Sequence, residues 1–208
     1  MKALAARFVE ESSLELHSFL TNDLAEALEP RLRDLDLKDG LGPDRGGRVP
    51  LHTSGISSSS APPSAWSVKG PPHKWRYCSL VHPTPGRPAT SITPLSAHPS
   101  PSEILRVLQD ELFPSPAFRS WMAIVTKLLP LRHHVEARRF RPGLDYTLAT
   151  SEESEARLDV VLGLTPNIIE EEEEEHGRRG RANKTKDAQP RGWSSGTWGG
   201  WEVCFAAI

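Results

Sequence analysis

At 208 residues the chain is long enough for one domain with a real core, or at most two small ones, and a single domain is the expectation. A formal charge of −2 and a pI near 6.5 supply no uniformly basic face for the phosphate attraction behind nonspecific nucleic-acid binding. The two cysteines, Cys78 and Cys204, are too few for a disulfide framework or a thiolate-rich zinc site, and a reducing compartment is the simplest reading.

The N-terminal residues are interrupted by Lys2, Arg7 and Glu10 before any apolar stretch can serve as a signal-peptide core. The longest apolar run, Val203–Ile208, has six residues against the roughly 20 needed to span a bilayer. A soluble intracellular protein with no membrane partner is therefore expected. Residues 8–20 alternate weakly and predict a short strand or extended entry segment. Thr21 or Asn22 then caps a helix carrying Leu24, Leu28 and Leu32 at spacings of four; Pro30 cannot donate to an interior turn and predicts a break or restart. Residues 40–101 hold twelve of the nineteen prolines and the Ser57–Ser60 run, a composition that predicts mostly loop.

Inside that loop, Gly70 to Cys78 sets Trp75 and Tyr77 beside Lys74 and Arg76 and ends in a strand-like stretch, where the aromatics anchor the loop on the core or contact a ligand. Ser102 is expected to cap a helix with Ile104, Leu105, Leu108 and Leu112 on one face. A second helix starts at Ser115 or Pro116 and carries Phe118, Trp121, Met122, Val125, Leu128 and Leu129; both should pack on a sheet. From Arg132 the period becomes two. Leu158, Val160, Leu162 and Leu164 share one strand face, Asp159 and Val161 the other, and Pro166 ends the strand. Glu170–Glu175 followed by Arg178, Arg179, Arg181, Lys184 and Lys186 predicts a solvated, disordered insertion over 168–192. Gly196 and Gly199-Gly200 read as a hairpin turn before a last strand with Trp201, Val203 and Phe205.

Four pieces carry a family resemblance: Gly70–Tyr77 with Pro71, Pro72, His73, Trp75 and Tyr77; Arg138–Ala149 with Arg139, Phe140, Arg141, Pro142, Gly143, Asp145 and Tyr146; Ala156–Pro166; and Trp198–Glu202 with Trp198, Gly199, Gly200 and Trp201. Together they resemble the C-terminal domain of the fungal 2-oxoglutarate- and iron-dependent prolyl 3,4-dihydroxylases. The resemblance implies a mainly β fold with flanking α-helices: a double-stranded β-helix, or jelly roll, degenerate and incomplete at its C-terminus, in which residues 1–208 form one domain. It also implies that the aromatic-x-Pro-Gly segment opens a strand. In that family the catalytic N-terminal domain carries Fe(II), 2-oxoglutarate and ascorbate chemistry and acts on a proline of a small-subunit ribosomal protein, with a bearing on translation termination. That catalytic half is expected to be missing here, and the module's partners are expected to be it, the ribosomal protein substrate or a regulatory protein, in nucleus and cytoplasm.

The enzymes hold iron with two histidines and one carboxylate on one face. After Phe140-Arg141-Pro142-Gly143 comes Asp145-Tyr146-Thr147-Leu148-Ala149-Thr150, with no histidine, so no catalytic, cofactor-binding or metal residue is expected and the motif residues are structural or interaction residues. The one His-x-Glu, His134-Val135-Glu136, precedes the motif and is expected half-exposed on an outer strand face; with His176 it makes the atypical ligand set of the alternative, active-dioxygenase reading. A zinc set of His73, Cys78 and His82 lacks a second thiolate and finger spacing. A third reading, an RNA-associated adaptor, would use Trp75, Arg76, Tyr77 and the basic stretch Arg178–Lys186.

Overall fold

The computed structural model describes residues 1–42, 45–46, 48–56, 65–81, 99–148, 157–164 and 200–207. Ten residues expected to be extended or unassigned instead make helix α1, Lys2–Glu11, which ends where Ser12 turns left-handed at φ 56°. The segment after it, to Leu20, is neither helix nor strand. Helix α2 runs unbroken over Asn22–Lys38 with Pro30 inside it. The break expected at Pro30 does not occur because Pro30 and Glu26 are both exposed, and water can take the Glu26 carbonyl left without its helical donor.

Strands β1 (Trp66–Lys69) and β2 (Trp75–Leu80) form an antiparallel hairpin inside the proline-rich region. Helix α3, Pro101–Val107, begins two residues earlier than expected: Ser100, not Ser102, is its cap. Ser100 accepts from the Glu103 amide while the Glu103 carboxylate accepts from the Ser100 amide, a complete capping box with Pro101 in the first turn. Ser102 instead accepts a hydrogen bond from the Trp66 indole at 3.2 Å. Beyond Val107 the helix widens into a π turn, Leu108–Leu112. The wider turn rotates the following side chains, so Phe113 reaches the core and Leu112, expected on the buried face, is 37% exposed. Helix α4, Pro116–Thr126, is capped by the Ser115 hydroxyl as expected and stops at left-handed Lys127, leaving Leu128 and Leu129 exposed beyond it.

Strands β3 (His133–Phe140), β4 (Tyr146–Thr147), β5 (Leu158–Gly163) and β6 (Gly200–Ala207) complete one antiparallel sheet in the order β1-β2-β3-β6-β5, with β4 also pairing β2. Gly200 pairs with Phe140 as the first residue of β6 and so belongs to a strand rather than to the expected turn; Trp198 and Gly199 lie outside the described residues, as do Pro166 and the charged run. The aromatic-x-Pro-Gly segment likewise differs from expectation: Phe140 closes β3, Arg141–Asp145 loops out, and β4 resumes along β2.

One face of the sheet is apolar. Trp66, Cys78, Leu80, Val135, Ala137, Trp201, Val203 and Phe205 point to it and pack against Leu28 and Leu32 of α2, Ile104 and Leu105 of α3, Phe113, and Phe118 and Met122 of α4. An antiparallel sheet with flanking helices is thus present. The second sheet of a double-stranded β-helix is not among the described residues.

Gln109, in the π turn, is buried, and its Oε1 accepts the Ala137 amide of β3 at 2.8 Å, where the β2–β3 register has ended at Arg138. Replacing Gln109 with Ala would leave that amide without its acceptor in the core. Urea unfolding should show a loss of about 1–3 kcal/mol with an unchanged m-value.

Candidate functional site

The residues singled out in the sequence fall into three polar clusters distributed around β3. Its alternation sends Val135, Ala137 and Arg139 to the helical face and His134, Glu136 and Arg138 to the other.

On the helical face Arg139 is 1% exposed. Its Nε and Nη2 donate to Asp36 Oδ1 at 3.2 and 2.7 Å, its Nη1 donates to Asp39 Oδ2 at 2.6 Å, and its guanidinium lies 4.5 Å from the Trp201 ring. The Trp201 indole in turn donates to Asp36 Oδ2 at 3.0 Å. Burial pushes the Asp36 carboxyl's pKa up, opposed by the Arg139 charge and by the hydrogen bonds from Trp201 and Arg139. Gly55 approaches so closely that a Cβ there would stand 2.7 Å from Arg139 Nη1, and its φ of +76° also calls for glycine.

Arg141 organises the second cluster. Its amide, Nε and Nη2 donate to the Asp145 carboxylate at 2.8–2.9 Å, while Nη1 holds the His52 and Ser54 carbonyls. Arg76 approaches Asp145 Oδ1 at 3.6 Å and meets His52 Nδ1 at 2.7 Å. Pro142 and Gly143 form the turn between, Gly143 at φ +73°, and the Tyr146 hydroxyl donates to the Pro72 carbonyl. Pro71 accepts from the Lys74 and Trp75 amides, so Pro71, Pro72 and exposed His73 make the β1–β2 turn. Burial pushes the Cys78 thiol up to about 11, with the Arg141 charge opposing.

The third cluster lies on the sheet's other face and corrects an expectation. Glu136 is 3% exposed rather than half-exposed, because Tyr77, Ser79, Lys69 and Arg138 surround its carboxylate; His134 on the same face is exposed. Burial would raise the Glu136 pKa, but the hydrogen bonds from Lys69, Tyr77 and Ser79 outweigh it and hold the group at about 2. Tyr77 is pushed well above its ordinary value, by burial first and by Glu136 second. Cys204 donates to Glu202 Oε1 at 3.1 Å, and burial drives its thiol up to about 12 against the Arg138 charge. Neither cysteine is a thiolate nucleophile at neutral pH.

An iron site does not fit these residues. Asp145, the carboxylate that follows the aromatic-x-Pro-Gly segment, is fully buried and already bound by three Arg141 donors, and Thr147 beside it has no imidazole. Glu136 is equally committed, His176 lies outside the described residues, and no group of three or more His, Cys, Asp or Glu among the described residues could hold a metal ion. Cys78 faces the core while His73 sits in an exposed turn, so the zinc set is not assembled; His82 lies outside the described residues. Of the aromatic pair offered for RNA, Tyr77 is buried and only Trp75 presents surface; Arg178–Lys186 lies outside the described residues. No helix among the described residues is long and apolar enough to cross a membrane.

Asp36, Asp39, Lys69, Ser79 and Gln109 were not singled out from the sequence. Two signals for Asp36 and Arg139 were nonetheless there. The Leu24-Leu28-Leu32 spacing puts Asp36 next on the buried stripe, and the alternation of β3 turns Arg139 inward with Val135 and Ala137.

Residues 1–207 match the family described as "Oxoglutarate and iron-dependent oxygenase degradation C-term". Over 174 residues the chain is 30% identical to prolyl 3,4-dihydroxylase OGFOD1 of Ostreococcus tauri, covering 82% of this chain and 30% of that protein. The chain therefore spans about 30% of the length of that curated relative.

Two measurements test these clusters. Arg139→Met leaves Asp36 buried without its counter-charge and should cost about 3–5 kcal/mol in urea unfolding, whereas adding Asp36→Asn should cost less than the sum of the two single changes. Because the Glu136 pKa falls from 4.5 to about 2 on folding, its contribution is complete above pH 4.5 and is lost as pH drops toward 2. Glu136→Gln should therefore show a shallower decline in melting temperature than the parent across that acid range.

Proposed function

The chain belongs to the family of oxoglutarate and iron-dependent oxygenase degradation C-terminal domains, and from that premise we propose that it is a non-catalytic module of a prolyl 3,4-dihydroxylase. In this reading the six-stranded sheet is part of a degenerate double-stranded β-helix that supports a catalytic domain and presents surface to substrate or to a regulatory protein. Fe(II), 2-oxoglutarate and ascorbate belong to the catalytic domain, the substrate is a small-subunit ribosomal protein, and the protein works in nucleus and cytoplasm.

One observation carries the proposal: the carboxylate that follows the aromatic-x-Pro-Gly segment, Asp145, is held by the amide and guanidinium of Arg141 four residues away. A carboxylate so engaged would have to break three charge-assisted or backbone hydrogen bonds before it could ligate a metal.

Isothermal titration of the chain with iron(II) and 2-oxoglutarate should give no stoichiometric heat for either, and one-to-one uptake of both would overturn the proposal. In a full-length dioxygenase of this family, deleting the corresponding module should leave iron and oxoglutarate binding in place while lowering turnover of the ribosomal protein substrate.

A further inference from the structure

The face of the sheet turned away from the helices carries a donor set built like a ligand site. Each oxygen of the Glu136 carboxylate receives two donors. Oε2 accepts from the Tyr77 hydroxyl at 2.7 Å and from Arg138 Nε at 3.0 Å, and Oε1 accepts from the Ser79 hydroxyl at 2.8 Å and Lys69 Nζ at 2.9 Å. The donors come from β1, β2 and β3, and two are cations while two are neutral hydroxyls. All of them address the planar pair of oxygens, and none of these hydrogen bonds depends on the methylene stem that ties the carboxylate to β3. That is the pattern by which proteins hold free carboxylates: charge to neutralise the anion and directional hydroxyls to fix its plane.

The surroundings keep the donors in place. Arg138 lies over the Tyr77 ring at 4.9 Å and reaches Glu202 Oε1 at 3.4 Å, and the Tyr77 ring packs 5.8 Å from that of Phe140. Lys69 is 45% exposed, so the set has a route to solvent along its own side chain. The atoms that Glu136→Ala would delete are Cγ, Cδ and the two oxygens, the heavy-atom skeleton of acetate.

We propose that this cluster is a carboxylate-binding site which the chain occupies in cis with Glu136, and that it takes a small monocarboxylate of acetate's size once that side chain is truncated. While Glu136 is present the site is closed to external carboxylates, because both of its cations and both of its hydroxyls are already spent. Truncation would leave Lys69 and Arg138 facing each other across an empty anion position, and a bound carboxylate would relieve that repulsion. The proposal is independent of the function proposed above and stands or falls on the cluster alone.

The test uses the Glu136→Ala variant of the 208-residue chain beside the parent, with thermal unfolding followed in sodium chloride and in sodium acetate at equal ionic strength, at about 100 mM salt, and with formate and propionate as a size series. The variant should melt lower than the parent in chloride, and acetate should restore half or more of the lost melting temperature. Formate and propionate should restore less, and the parent should respond alike to all four salts. Adding Tyr77→Phe and Ser79→Ala to the variant removes two neutral donors and no charge, and should raise the acetate midpoint about tenfold or more. Equal responses to chloride and acetate, or an acetate midpoint insensitive to the loss of both hydroxyls, would overturn the proposal. Should Glu136→Ala not fold in chloride, refolding in acetate decides: a cooperative transition regained only with carboxylate supports the site, and failure in both salts overturns it.

Discussion

A guanidinium taken fully out of water next to an indole is the constraint around which this molecule is arranged. Stripping a charge of its hydration costs several kcal/mol, and Arg139 recovers that only because Asp36, Asp39 and Trp201 meet it from two other elements. The C-terminal end of α2 has to lie against β3 and β6 for this to happen, which fixes the helix on the sheet more specifically than the contacts of Leu28 and Leu32 could. The same guanidinium restricts the segment passing over it, since only a residue without a side chain can pass at Gly55.

Much of this architecture can be read from residue patterns, and the failures have identifiable causes. Strands β5 and β6 stand where their alternation places them, because every second residue is packed more deeply than those between; helix α4 starts where expected but ends at Thr126, short of Leu128 and Leu129. The cap of α3 lies two residues before the expected Ser102, because in Ser100-Pro101-Ser102-Glu103 only Ser100 stands three residues before the glutamate and can close a capping box. Leu112 leaves the expected buried face, with Phe113 buried instead, because a π turn has a different period from an α-helix. Helix α1 is missed because its apolar side chains are few and mostly exposed, leaving little stripe to detect. At the candidate site, Arg139, Arg141, Asp145, Tyr77 and Trp201 are recognisable as a group, but Arg139 and Trp201 meet Asp36, and Tyr77 meets Glu136, from far away along the chain, and linear spacing carries no trace of such pairings.

The three clusters share one property that bears on function. Each carboxylate at their centres, Asp36, Glu136 and Asp145, has its oxygens filled by neighbours from the same chain. Chemistry on a bound substrate needs polar atoms that are held in place yet unsatisfied until the ligand arrives. Here satisfaction is internal, and exposed apolar residues such as Leu129 and Leu131 beyond α4 and Val161 on β5 face outward.

Adjacent arginines on one strand, Arg138 and Arg139, point through opposite faces of the sheet and are answered by separate sets of acids. A mutational path along this strand is consequently rugged: losing either arginine strands an acid, losing an acid strands an arginine, and viable routes pass through simultaneous replacement on one side while the other is held fixed. Lineages of this domain would be expected to drift in coordinated blocks, each face of the strand keeping its own evolutionary clock.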